Sequence, residues 1–426
     1  MMLQMEIEYL EQYNPWWRTG KVKESWLKPY KRTLYSEITK YINKRQIILI
    51  QGLRRLGKTT LLFQIIHELL KDVEPKYILY FSFDEHIFDI KEVLETYQKV
   101  ILNRTFDDVQ STIYIFLDEV HKVADWEIKL KTYYDIYPRL KFFISGSASL
   151  SLRRKSKESL AGRVFDFTLE PLSFEEFLTL SGKEVEKIKR NPQLWKRELI
   201  PLLYKYIKFG TFPELVNEED EEIARRYIIN NIIERIIYKD LPEEFRINDM
   251  ELLKSLIYII GKNPGMIVNY KELSKELGRD ERTISNYFEY LEFGLLTKFV
   301  FNYRGSPVAS LRKLKRIYFR TPNIIFAYNP NLDNVLPVML ENLVMMVTGA
   351  GYFYRNSFEI DFILSENKSL VAIEVKSRHI NTKQLRKFIR EYGKKVKKSF
   401  IVDFESEETI DEFRVIPAWK LALNLF

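Results

Sequence analysis

The 426-residue chain has no cysteine and only four histidines, His67, His86, His121 and His379. Without thiols there is no disulfide scaffold, no thiolate zinc site, no cysteine nucleophile and no iron–sulfur cluster. The histidines are scattered, and none forms the i, i+4 pair of a helical zinc site. Long apolar runs are missing too. Ile113–Leu117 and Leu343–Val347 fall far short of the ~20 residues that span a bilayer, and Met1–Tyr13 lacks the basic–apolar–small layout of a signal peptide. The chain therefore reads as cytoplasmic, with no membrane partner. No Gly/Ser linker and no internal repeat is evident. With 46% apolar and 30% charged residues, disordered and low-complexity classes are excluded.

At roughly 100–200 residues per domain, the length suggests two to four domains. Short apolar runs at Gln46–Gln51, Tyr77–Phe83, Ile113–Leu117 and Lys141–Ser145 alternate with helical stretches, which predicts βαβ units around a parallel sheet. From Ser173 to about Leu241 the pattern is all-helical and amphipathic. Three helices and a basic β-rich tail follow, and residues 336–426 return to mixed α and β.

Gly52-Leu53-Arg54-Arg55-Leu56-Gly57-Lys58-Thr59-Thr60 fits GxxxxGK[ST], directly after an apolar strand and before a helix. The glycines let backbone N–H groups curl round a β-phosphate, and the helix N-terminus adds partial positive charge. Lys58 would reach the β- and γ-phosphates, and Thr59 would ligate Mg²⁺. Downstream, a strand delivers Asp118 to its C-terminal end to hold the magnesium through water, with Glu119 beside it to polarise the attacking water. ATP or GTP binding follows. Ser145-Gly146-Ser147 ends the next strand; it reads as a phosphate sensor or as an ordinary strand-to-loop turn. Arg153, Arg154 and Arg163 read as a finger supplied in trans to a neighbour's γ-phosphate, or as a solvated basic loop.

The segments GLRRLGKTTL, FLDEVHKVADWE, FFISGSASL, LAGRVFDFTLEPLSFEEFL and Phe209-Gly-Thr-Phe-Pro-Glu214 resemble, in order and spacing, blocks of the archaeal and bacterial AAA+-related P-loop ATPases. These ATPases carry a C-terminal restriction-endonuclease-like domain. The family usually has a second glycine where Thr211 stands. The resemblance implies a sensor-like Ser147, Arg163 as the finger joining a homo-oligomer, and Asn14-Pro-Trp-Trp17 near the base. Together with the helical and basic patterns along the chain, it gives an expected four-part α/β fold: a P-loop core over 1–172, a helical lid over 173–247, a winged helix-turn-helix over 248–330 and an endonuclease-like domain over 331–426.

Met250–Gly261, Tyr270–Leu277 and Glu281–Phe293 read as three helices, with Gly278 closing the second and Asp280 capping the third. Residues 298–320 then carry seven basic side chains and no acidic one. A helix-turn-helix followed by a basic hairpin is the winged-helix pattern, with its third helix entering a DNA groove. Arg279, Arg282, Asn286 and Tyr287 would face bases or phosphates, and Arg312, Lys313, Lys315 and Arg316 would line the wing. Winged helices also serve as lids and protein-contact modules.

Toward the C-terminus, Glu341 lies on an apolar helix, Asp361 on a strand, and Glu374 and Lys376 two apart on another, so that those two share a face. An Asp and a Glu from neighbouring strands can share a divalent metal, beside which a lysine neutralises charge on a phosphate. This is the D-x(n)-ExK pattern of restriction-endonuclease-like nucleases, with Glu341 matching their helical glutamate. The other reading is a set of surface salt bridges. Two stretches, 298–320 and 376–398, carry seven and nine net positive charges, so within a total of +8 the remaining residues are net acidic by eight. The expected function is a Mg²⁺-dependent ATPase coupled to DNA binding or processing. The alternative is a nucleotide-dependent switch whose C-terminal domain is a non-catalytic platform.

Overall fold

The computed structural model describes residues 7–84, 88–147, 160–245, 247–305, 309–310, 314–329, 331–366, 369–376 and 382–425. Their contacts divide the chain into two units, Met1–Glu170 and Pro171–Phe426.

The first unit is built on five parallel strands: β1 (Ile47–Gly52), β2 (Ile78–Ser82), β3 (Ile113–Asp118), β4 (Leu140–Ser147) and β5 (Val164–Leu169), in the order β2-β3-β4-β1-β5. Every residue of β1 is buried, the continuous apolar pattern of a strand covered on both faces. Helix α1 (Lys58–Leu69) follows it. β4 pairs with β1 through Gly52↔Ser147, and β3, beside β4, ends at Asp118. The carboxyl ends of these strands therefore open on one side of the sheet, where open α/β sheets bind their ligands. Strand β5 is not evident from sequence, because it is a half-buried edge strand with Asp166 interrupting its apolar residues. The Asn14-Pro-Trp-Trp17 segment anchors the opposite edge. Asn14 exchanges hydrogen bonds with the Tyr80 backbone, donating to its carbonyl at 2.8 Å and accepting from its N–H at 2.7 Å, and both indoles donate to the Ile78 carbonyl. Groups that would invite another strand are thereby satisfied.

In the second unit, helices fill residues 174–245, with π-helical turns at Tyr206–Gly210, Ile229–Ile233 and Ile236–Asp240. Helices α2 (Met250–Lys262), α3 (Tyr270–Leu277) and α4 (Glu281–Phe293) match the expected three. Gly278 at φ 63° closes α3, and the Asp280 carboxylate accepts from Thr283 N to cap α4. The remaining strands are β6 (Thr297–Asn302), β7 (Lys315–Phe319), β8 (Tyr352–Arg355), β9 (Glu359–Glu366), β10 (Ser369–Val375), β11 (Val396–Asp403), β12 (Glu408–Ile410) and β13 (Phe413–Pro417). They form one mixed sheet in the order β12-β13-β11-β10-β9-β8-β6-β7.

The basic hairpin β6–β7 is thus no free-standing wing. β6 pairs parallel with β8 at Phe301↔Tyr352, while the far side of β7 bridges Ile267 and accepts from Val268 N at 2.9 Å. The strand pair of the three-helix module is also the edge of the C-terminal sheet, so no gap in the sheet separates them near residue 330. Helices α5 (Pro322–Tyr328) and α6 (Leu332–Thr348) pack on each other, and α6 contacts β9 and β10. Buried Thr211 and Asn323 join the helical region to α5. Thr211 donates through N–H and Oγ1 to Asn323 Oδ1, and Asn323 Nδ2 donates to the carbonyls of Tyr206 and Ile207. The Thr211 hydroxyl therefore belongs to a structural joint.

Candidate functional site

The phosphate loop is shaped by its two glycines for different reasons. A Cβ on Gly52 would stand 2.5 Å from the Leu169 carbonyl oxygen of β5, and Gly57 turns the chain at φ 93°. Leu53 and Leu56 are buried and pin the loop, while Arg54 and Arg55 lie nearer solvent, Arg55 at φ 67°. Gly57 begins α1 without a side-chain cap, so that helix's first N–H groups face the loop as an anion site. Lys58, 6% exposed, donates to the carbonyls of Gly52 and Leu53 at 3.0 and 3.1 Å, which holds its charge against the loop. Arg32 braces the loop from outside, donating to the carbonyls of Leu56 and Glu170.

Asp118, 2% exposed, sits below the loop and accepts from three hydroxyls. Thr59 Oγ1 reaches it at 2.6 Å and Tyr80 OH at 3.0 Å, and Ser145 Oγ binds its other oxygen. Burial raises the Asp118 pKa, with Glu119 adding to the effect; the hydroxyls of Ser145 and Thr59 and the charge of Lys58 oppose it. Glu119 leaves the strand at φ 53°, and its Oε2 lies 3.4 Å from His121 Nδ1. A hydroxyl and a carboxylate in contact beside a phosphate loop are the hard oxygen donors that Mg²⁺ takes. The expected residues 52–60, Asp118 and Glu119 are thus brought together. Tyr80 and Arg32 are additions that no linear motif marks. The Ser147 backbone lies opposite Gly52, but its side chain, like Arg153 and Arg154, lies outside the described residues.

Arg163 does not join this cluster. It immediately precedes β5, and Val164 pairs with Ile47, so it lies at the opposite end of β1 from Gly52. Its guanidinium binds both carboxylate oxygens of Asp135, at 2.8 and 3.1 Å.

A second cluster lies in the C-terminal sheet. The antiparallel register Ile373↔Phe362 brings Glu374 opposite Asp361. Glu374 is 1% exposed; Lys376 Nζ lies 3.0 Å from its Oε2, and its Oε1 is buried with no hydrogen-bond partner. Asp361 Oδ2 accepts from Val375 N at 2.8 Å. Burial, and then Asp361, push the Glu374 pKa up to about 8 and that of Glu341 up to about 7. Among the described residues no three acidic or histidine side chains converge as a metal cage. Glu341, expected as a ligand, accepts from Tyr318 OH at 3.2 Å and lies close enough to Asp361 for the two carboxylates to repel. What remains is the Asp361–Glu374 pair with one unpartnered oxygen, which fits the one or two carboxylates that commonly hold Mg²⁺.

The expected DNA-facing residues divide. Arg282 is exposed and Asn286 partly so, while Arg279 pairs with Asp249 at 2.6 Å. Tyr287 is buried and its hydroxyl accepts from Asp249 N, so it faces the core instead of DNA. Lys315 lies over the Phe299 and Tyr270 rings. Arg316 is turned inward, only 14% exposed, and pairs with Glu359. The reason is strand alternation: Arg316 and Tyr318 share the face of β7 that meets Glu341 and Phe362. Arg312 and Lys313 lie outside the described residues.

The stretch that holds the first cluster is similar to a known domain. Residues 44–178 match a family model described as an AAA domain (AAA_14), so this part of the chain is similar to AAA domains, whose phosphate loop the residues 52–60 reproduce. Residues 200–328 and 340–421 match two domains of unknown function, DUF8612 and DUF4143. An uncharacterized protein of Methanocaldococcus jannaschii is 28% identical over 415 residues, covering 89% of this chain and 88% of the relative. A second from that organism is 30% identical over 308 residues, covering 67% and 63%. The solved structure of C. elegans PCH-2 aligns over 62% of this chain and 65% of that one, at 14% identity and a TM-score of 0.25. No helix among the described residues is long and apolar enough to cross a membrane.

Proposed function

We propose that this chain is a Mg²⁺-dependent ATPase that couples hydrolysis to binding or processing of DNA. The observation that carries the ATPase reading is the Thr59–Asp118 hydrogen bond directly below a phosphate loop that holds Lys58. In this reading the loop N–H groups and Lys58 bind the β- and γ-phosphates, and Thr59 and Asp118 would hold a Mg²⁺ ion, which would supply positive charge beside the phosphoryl oxygens. Glu119 orients the attacking water and accepts its proton. His121 steadies the Glu119 carboxylate. Arg163, to act on a neighbouring copy, exchanges Asp135 for a phosphate.

DNA coupling rests on exposed cations. Lys387 and Arg390 on α7 (Lys383–Tyr392), then Lys394, Lys395 and Lys397, form an exposed basic strip able to follow a phosphate backbone. ATP turnover measured with and without duplex DNA tests this: stimulation is expected, and turnover indifferent to DNA contradicts the coupling. A second reading, metal-dependent cleavage of DNA at the C-terminal cluster, is favoured by the buried, unpartnered Glu374 Oε1 beside Lys376. Incubation of linear, branched and single-stranded DNA with Mg²⁺ or Mn²⁺ is expected to give cleavage that Asp361→Ala abolishes. Intact DNA on every substrate contradicts it.

A further inference from the structure

The hairpin supplies the C-terminal cluster with a second orphan. Arg316 Nε is buried without a hydrogen-bond partner, as is Glu374 Oε1. The rest of the guanidinium is held in place. One terminal nitrogen pairs with Glu359, and the other donates to Tyr318 OH at 3.3 Å, which in turn donates to Glu341. The ring of Phe353 lies under the guanidinium at 4.9 Å. An arginine fixed on several sides yet left with a buried unmet donor is costly unless a ligand completes it. With both terminal nitrogens held, Nε–H is a fixed, directional donor, which a lysine's point charge is not. The Glu374 oxygen is open to a cation in place of the proton it otherwise shares with Asp361, and the orphan guanidinium donor is open to an anion. A metal-bound phosphodiester is both.

We propose that Arg316 is the phosphodiester-binding residue of the C-terminal carboxylate site, contributed by the strand β7 that the same site shares with the three-helix module. This rests on the reading of Asp361 and Glu374 as a divalent-cation site. On that basis Asp361 and Glu374 hold the cation, Lys376 neutralises one side of the bound phosphate, and Arg316 donates through Nε to one of its oxygens. The edge-strand bond between β7 and Ile267 then ties the position of Arg316 to the helices expected to meet DNA.

The test uses the full chain, with Mn²⁺ binding read by calorimetry and labelled duplex DNA binding read by anisotropy, with Ca²⁺ or with chelator. Arg316→Gln is expected to weaken the Ca²⁺-dependent part of duplex binding about tenfold or more, the loss of one charged hydrogen-bonding group. Its Mn²⁺ affinity should be at least that of the parent, because removing a nearby positive charge cannot repel a cation. Arg316→Lys, which keeps the charge opposite Glu359, should fold as the parent does and still lose most of the same binding. Unchanged Ca²⁺-dependent binding in the lysine variant, or loss of Mn²⁺ binding in the glutamine variant, overturns the proposal and leaves Arg316 a structural partner of Glu359. Failure of the underlying reading looks different. Glu374→Gln would then bind Mn²⁺ as the parent does, whatever Arg316 does.

Discussion

Asp118 and Glu374 are both buried carboxylates whose pKa values burial raises, and their neighbours oppose that rise to different extents. Asp118 is compensated by three hydroxyls and Lys58, whereas Glu374 keeps one oxygen without a partner and faces Asp361. Glu374 therefore carries a pKa raised from the ordinary 4.5 to about 8. A folded-state value above the unfolded one means that the native protein binds the extra proton between those limits, so stability present at low pH is lost as pH rises toward 8. Thermal unfolding in chelator should show a midpoint that falls from pH about 5 to about 8, and Glu374→Gln should flatten that fall. A slope unchanged in the variant places the titration elsewhere. At this scale the phosphate loop was legible because its residues are contiguous and chemically unusual. Ser145 was expected at the nucleotide end of its strand, but Tyr80 joins Asp118 only once β2 flanks β3, and no linear spacing announces that. The inward turn of Arg316 is hidden for a related reason. Period-two alternation says that residues 316 and 318 share a face, but not which face the sheet covers.

At the scale of elements, most helices and strands were readable. Periodicity and caps placed α3 and α4 to the residue, since Gly278 and Asp280 mark both ends of the turn. What was not readable is how elements merge. The hairpin β6–β7 pairs with β8 through contacts some 50 residues apart in sequence, and local pattern carries no such information. The Thr211–Asn323 joint is of the same kind. Gly210 beside it is needed because a Cβ there would meet the Phe177 ring at 2.7 Å. Asn323→Ala leaves the Thr211 N–H and the Tyr206 and Ile207 carbonyls buried without their partner. Each such group costs roughly 1–3 kcal/mol. Denaturant unfolding should therefore show a loss of at least that size, and a loss no larger than that of a surface substitution contradicts the joint.

At the scale of the whole molecule, charge is distributed unevenly within a modest +8. The expected basic wing contributes less free charge than its composition suggests, because Arg316 is buried against Glu359 and Lys315 lies on aromatic rings. The exposed cations that remain concentrate on α7 and the start of β11. Duplex affinity should fall log-linearly with salt, and replacing Lys394, Lys395 and Lys397 by Glu should reduce the slope as phosphate contacts are lost. A slope identical in the triple variant places the DNA contact on another surface.

The central claim is that Asp118, Thr59 and Lys58 assemble a nucleotide site in which Glu119 activates water, and ATP binding and turnover of Glu119→Gln test it most directly. The variant should bind Mg²⁺-ATP as the parent does while turnover drops about 10²–10⁴-fold, the range for loss of a general base. Parental turnover in that variant contradicts the assignment.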